Sequence, residues 1–171
     1  VLANQGTINI TGSGTGPVLI NDADTTIGYK SGSHHVDASS STIEITEDAL
    51  TWGASAALSL NTSGTVAITP YGADFSSALS TSEITFSSDV SGLTIGKATS
   101  ADGAGDAAVT LGAAMIAGPI TVYGGALSIN ATLTATSSNI NLHASGNVTQ
   151  TAAITADGLG LHGSGSFTLT N

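Results

Sequence analysis

Two acidic stretches hold the residues of this chain best suited to binding an ion. Asp22 and Asp24 lie close together with Asp37 further on, and Asp102 and Asp106 bracket the segment DGAGD. That segment echoes half of the Gly-Gly-x-Gly-x-Asp turn that binds Ca²⁺ in nonapeptide β-rolls. Carboxylate and carbonyl oxygens suit a hard cation that takes roughly six to eight oxygen ligands. The nonapeptide repeat itself is missing, so a plain polar turn is the simpler account. Ca²⁺ on Asp22, Asp24, Asp102 and Asp106 is the one cofactor the sequence suggests.

The histidines and the remaining carboxylates offer less. A coil with the spacing of His143 and His162 sets one ring above the other, within reach of a shared metal, but two histidines without a third ligand do not make a site. His34 and His35 are adjacent, and on an extended backbone they point to opposite sides. Glu44, Glu47 and Asp48 cluster in one segment, and Glu83 and Asp89 in another. Glycoside cleavage needs two carboxyls across a substrate groove, one with a raised pKa. Pectin-lyase-type chemistry also needs cations to hold an acidic sugar, and only Lys30 and Lys97 are present. With no arginine and 4% aromatic residues, an enzyme is not expected and no catalytic residue is assigned. Asn-x-Ser/Thr triplets occur at Asn9, Asn61, Asn130 and Asn147, a pattern that arises readily by chance in a Ser/Thr-rich chain.

The composition limits what could position these groups. Of 171 residues, 48 are Ser or Thr and 22 are Gly, while 40% are apolar and 8% charged. A disordered chain would be less apolar and more charged, and a helical one would show Ala, Leu, Glu and Lys at a 3.6-residue period. The formal charge of −10 excludes a basic patch for nucleic acid or an anionic membrane. Cysteine is absent, so disulfides and thiolate sites are excluded. No apolar run approaches the ~18 residues of a membrane helix. The chain begins at Val1, which fits a processed or excised part of something longer.

Repetition supplies the fold. INLHASGNVTQT (Ile140–Thr151) and LGLHGSGSFTLT (Leu159–Thr170) superpose with a shift of 19 residues, and ITVYGGALSIN (Ile120–Asn130) is a looser copy one step upstream. Each copy carries two short alternating runs separated by Gly and Ser, too little to bury an apolar face except by stacking on its neighbours. A period of 19–20 suits one rung of a parallel β-helix, with rungs ~4.8 Å apart. It predicts an all-β solenoid of roughly eight coils, on the order of 40 Å long. Predicted inner ladders are Val122–Leu142–Leu161 and Leu127–Val148–Phe167. One solenoid segment is expected over residues 1–171. Residues 93–171 are regular and 42–92 less so. Residues 1–41 are irregular, with a loop or widened corner within Val18–Ser41. Lys97–Asp106 reads as a second loop, and Ala107–Ala117 as strand rather than helix.

The run LTIGKATS, followed by IAGPITVYGGALSINATLTATSSNINLHASGNVTQTAAITADGLGLHGSGSFTLTN, closely resembles the repeats of very large bacterial β-strand-repeat exoproteins, grouped with filamentous-haemagglutinin-like adhesins. The resemblance is clearest over residues 93–171. It implies a right-handed β-helical segment of a secreted, cell-surface filament, often present in many tandem copies. No motif of that family marks a catalytic residue here.

The expected function is therefore a rigid shaft or adhesin scaffold outside the cell. Its partners would be neighbouring copies or repeats end to end, and host or cell-surface glycans, with no nucleic acid and no membrane insertion. The alternatives are a carbohydrate-binding module, favoured by an aromatic groove near Trp52, Tyr71 or Tyr123, and a polysaccharide-degrading β-helix, favoured by convergent carboxylates there.

Overall fold

The computed structural model describes residues 9–11, 18–21, 27–29, 32–99 and 105–171. The described strands fall into triplets. The first coil holds β1 (Asn9–Thr11), β2 (Val18–Asn21) and β3 (Ile27–Tyr29), and the second β4 (Gly32–Ser39), β5 (Ile43–Thr46) and β6 (Leu50–Trp52). The third holds β7 (Ala56–Thr62), β8 (Thr65–Thr69) and β9 (Leu79–Ser80), and the fourth β10 (Ile84–Phe86), β11 (Gly92–Ile95) and β12 (Val109–Leu111). Then come β13 (Ala114–Ile116), β14 (Ile120–Gly124) and β15 (Leu127–Ile129), followed by β16 (Leu133–Ala135), β17 (Asn139–Ala144) and β18 (Val148–Gln150). The last coil holds β19 (Ile154–Thr155), β20 (Gly158–His162) and β21 (Phe167–Thr168).

Every strand pairs in parallel with its equivalent one coil away, so the chain is a β-solenoid with three faces. The central face is a seven-stranded sheet in the order β2-β5-β8-β11-β14-β17-β20. One flanking face runs β1-β4-β7-β10 and then, after a break in the hydrogen-bond ladder, β13-β16-β19. The other runs β3-β6 and then β9-β12-β15-β18-β21. Across that second break the Trp52 indole N–H donates to the Ser80 carbonyl at 3.1 Å.

Strict alternation within each strand fills the interior. On the central face Val18, Ile43, Val66, Leu93, Ile120, Ile140 and Leu159 form one inward ladder. Ile20, Ile45, Ile68, Ile95, Val122, Leu142 and Leu161 form the next. On the third face Leu79, Val109, Leu127, Val148 and Phe167 continue the pattern. Both inner ladders expected from the repeat are therefore present in register. Burial of each such side chain contributes about 1.5–3 kcal/mol, and the gain comes only when the next coil covers it.

Two expectations need correction. The step between equivalent residues of the first ladder runs from 25 and 23 through 27 and 27 to 20 and 19 residues, as their numbers show. The 19–20-residue period thus holds only near the C-terminus, and about six turns separate β2 from β20 rather than roughly eight coils filling the chain. Corner loops cause the difference: residues 70–78 and 96–108 lengthen their coils without disturbing the ladders. The second correction concerns Val18–Ser41, where a loop was expected. β4 is an eight-residue strand with His34, Val36 and Ala38 buried and Ser33 and His35 exposed. A histidine at an inward position breaks the apolar alternation that would have revealed it. Ala107–Ala117 forms β12 and β13, as expected, and no helix occurs among the described residues.

Candidate functional site

The outward face of the central sheet carries an aromatic column. Tyr123, His143 and His162 occupy the same position on β14, β17 and β20. The coil spacing is close to a stacking distance, so the rings lie face to face. Tyr123 and His143 have centroids 4.6 Å apart and planes inclined by 25°; for His143 and His162 the values are 4.4 Å and 13°. Nearly parallel rings at this separation do not share an ion, because a ligating nitrogen directs its lone pair along its own ring plane. One coil before Tyr123 the column stops at Gly96, whose φ is +78°. A Cβ there would overlap the Tyr123 carbonyl oxygen.

Of the four expected calcium ligands, Asp22, Asp24 and Asp102 lie outside the described residues. Asp106 is exposed, and its backbone makes the principal contact. The Asp106 and Ala107 amides donate to Asp74 Oδ2 at 2.5 and 2.7 Å, and the Phe75 amide donates to Asp74 Oδ1 at 2.9 Å. Asp74 thereby clamps the end of one corner loop to the loop of the preceding coil. Sequence reasoning passed over this carboxylate, since its partners lie 32 and 33 residues away and no motif marks it. Among the described residues no three His, Asp or Glu side chains are grouped to hold a metal ion.

The other carboxylates do not converge on one groove. Glu44 lies on the outer central face, Glu47 is fully buried, and Asp89 is exposed. Asp48 accepts the Gly72 amide at 3.0 Å, and Glu83 accepts the Ser80 hydroxyl at 3.4 Å. His34 is buried while His35 points to solvent, as adjacent strand residues must. Lys97 donates to the Gly72 carbonyl at 3.3 Å. Of the Asn-x-Ser/Thr residues, Asn130 and Asn147 are exposed, whereas Asn61 donates to Asp37 at 3.2 Å.

The aromatic residues named from sequence are dispersed. Trp52 is half-buried, Tyr71 is exposed, and Tyr123 belongs to the column. A shallow groove of about 430 Å³ opens instead where the first face is interrupted between β10 and β13. Ile84, Phe86 and Met115 supply its apolar lining and Ser82, Thr85 and Thr134 its hydroxyls.

The C-terminal end is the most exposed apolar surface of the shaft. Ile140 and Leu142 are completely covered, yet Leu159 and Leu161, one coil further, are 43% and 41% exposed. Ile154, Phe167 and Leu169 are likewise only partly buried. Gln150, beneath this end, donates through Nε2 to the carbonyls of Ala152 at 2.8 Å and Asn171 at 3.1 Å, which fastens the last coil to the one below. Its Oε1 is enclosed without a hydrogen-bond partner.

No protein-family description, curated protein or solved structure matches the chain. What it can be classed by is its architecture, a three-faced parallel β-solenoid.

Proposed function

We propose that this chain is a structural and adhesive segment of a large secreted bacterial surface protein, in which it forms a rigid β-helical shaft. The observation that carries the reading is the pair of inward ladders that run unbroken from Val18 to Leu159 and from Ile20 to Leu161. Parallel strands joined coil to coil resist bending, and outer faces of Ser, Thr, Asn and Gly keep the surface hydrated. The secreted setting rests on the resemblance to haemagglutinin-like repeats and on the acidic, cysteine-free composition. Partners in that setting are neighbouring copies or repeats and surface glycans, and calcium binding would fall to the loop that contains Asp102 and Asp106.

A second reading, binding of a neutral glycan, draws on the groove between β10 and β13, which pairs an apolar floor with hydroxyls and contains no charged side chain. One experiment separates the two. Antibodies raised against the chain are applied to intact cells that produce it, and the purified chain is screened on a glycan array. Surface labelling without glycan capture is the outcome expected of a shaft. Saturable capture abolished by Met115→Asp would replace it with the binding module, and labelling only after cell lysis would remove the surface assignment.

A further inference from the structure

From the two ends of the solenoid we infer that the C-terminal coil is a docking surface for the first coil of a second copy of this chain, joined head to tail in parallel register. The inference rests on the shaft reading and specifies its partner.

Backbone polarity comes first. Inward-facing residues direct their amides toward the following coil: Leu93 donates to Pro119, Val109 to Ala126, Leu127 to Asn147 and Val148 to Ser166. Their carbonyls point the same way, since Ile68 accepts from Gly96 in the next coil. Leu159 and Leu161 therefore present both backbone groups at the open end of β20, where no described strand follows. At the opposite end the Val18 amide donates to Thr42, so the groups of its outward neighbour Leu19 face away from the shaft. One end carries the pattern that the other completes. Unpaired edges of this kind invite strand addition.

Side chains agree with the backbone. Stacking β2 of a second copy on β20 sets its Val18 over Leu159 and its Ile20 over Leu161, which prolongs both inner ladders. Ile10 then comes to the face that carries Ile154. Leu19, 61% exposed on the outer face, would lie over Gly160, where no side chain obstructs it. The two ends differ, so the contact is heterologous and does not close. Its product is an open fibre. A formal charge of −10 on each copy opposes the approach, so association strengthens with ionic strength. A junction one coil wide is small beside a standard interface of roughly 1,600 Å², which makes assembly concentration-dependent.

The test is sedimentation and negative-stain microscopy of the full chain over a wide concentration range, at low and high salt. Rods of constant width that lengthen with concentration and salt are expected. Leu161→Asp should raise the concentration needed by about tenfold or more, because it sets a charge against an apolar coil. Thr149→Asp, the same charge on an exposed outer position, should leave assembly near the parent's. Leu159→Thr serves as a milder second variant, and the far-ultraviolet circular dichroism of each variant checks the fold. A chain that stays monomeric throughout, assembles equally well with Leu161→Asp, or stops at two-fold dimers overturns the inference. The monomeric outcome leaves the shaft reading standing if intact cells are still labelled. Absence of labelling removes the shaft's setting whatever the assembly state.

Discussion

His143 and His162 stack across neighbouring coils with centroids 4.4 Å apart and planes 13° apart. They extend a column that begins at Tyr123. Aromatic pairs of this kind add about 0.5–1.5 kcal/mol beyond the area they bury. His162→Phe should therefore keep the melting temperature within a degree or two, whereas His162→Asp should lower it by several, for a loss of about 1 kcal/mol. Micromolar Zn²⁺ should leave the melting temperature of the parent chain unchanged. A clear rise with Zn²⁺ would mean that the rings leave the stack to bind it.

Asp74 is the clamp of the widest corner. Its carboxylate accepts three backbone amides, from Phe75, Asp106 and Ala107, and hydrogen bonds to a charged acceptor contribute about 1.5–3 kcal/mol each when well shielded. Asp74 is only half-buried, so water screens part of this. Asp74→Ala should cost about 1–3 kcal/mol in a denaturant titration, and faster hydrogen exchange should be confined to the Asp106 and Ala107 amides and their surroundings. Asp74→Asn, which keeps the acceptor oxygen without the charge, should recover part of the loss.

Gly96 carries a conformational requirement and a spatial one together. Its φ of +78° is unfavourable for other residues, and a Cβ would run into the Tyr123 backbone. Gly96→Ala should cost about 2–4 kcal/mol, as strained and overpacked sites do. Gly72→Ala is the control. The nearest atom to its Cβ would be Asp48 Oδ1 at 3.9 Å, and a change within about 0.5 kcal/mol is expected.

Position along the shaft should decide the cost of a core truncation. Leu142→Ala removes a fully covered side chain and should cost about 2–5 kcal/mol. Leu161→Ala, in the same ladder but 41% exposed, should cost about half that or less. Equal losses would mean that the last coil is covered in solution.

What the sequence revealed follows from which signals are local. The match of Ile140–Thr151 to Leu159–Thr170 placed Val122, Leu142 and Leu161 in one ladder, because register in a regular coil is a matter of counting. Counting failed upstream, where residues 70–78 and 96–108 add length at corners and leave the faces unchanged. β4 stayed hidden behind its polar residues, with His34 taking an inward place that an aliphatic side chain would have advertised. Strands as short as β13, β16 and β19, of three, three and two residues, give too few positions for alternation to register. Asp74 could not be read at all, since its partners are contiguous only in space. The expected stacking of the two histidines was legible from spacing alone, while the parallel ring geometry that keeps them from sharing an ion needed coordinates.

The corner at residues 96–108 has a consequence for how such a chain can change. The step from Leu93 to Ile120 takes 27 residues and the next, to Ile140, takes 20, yet the three side chains sit in one column. Length added there leaves every pairing in place, and each doubling of a loop costs only about 0.6 kcal/mol in closure entropy. The shaft behaves as a rack with interchangeable hangers. Its faces hold a fixed pitch while its corners can be rewritten, so a new recognition loop can be mounted at that bend without redesigning the rod that carries it.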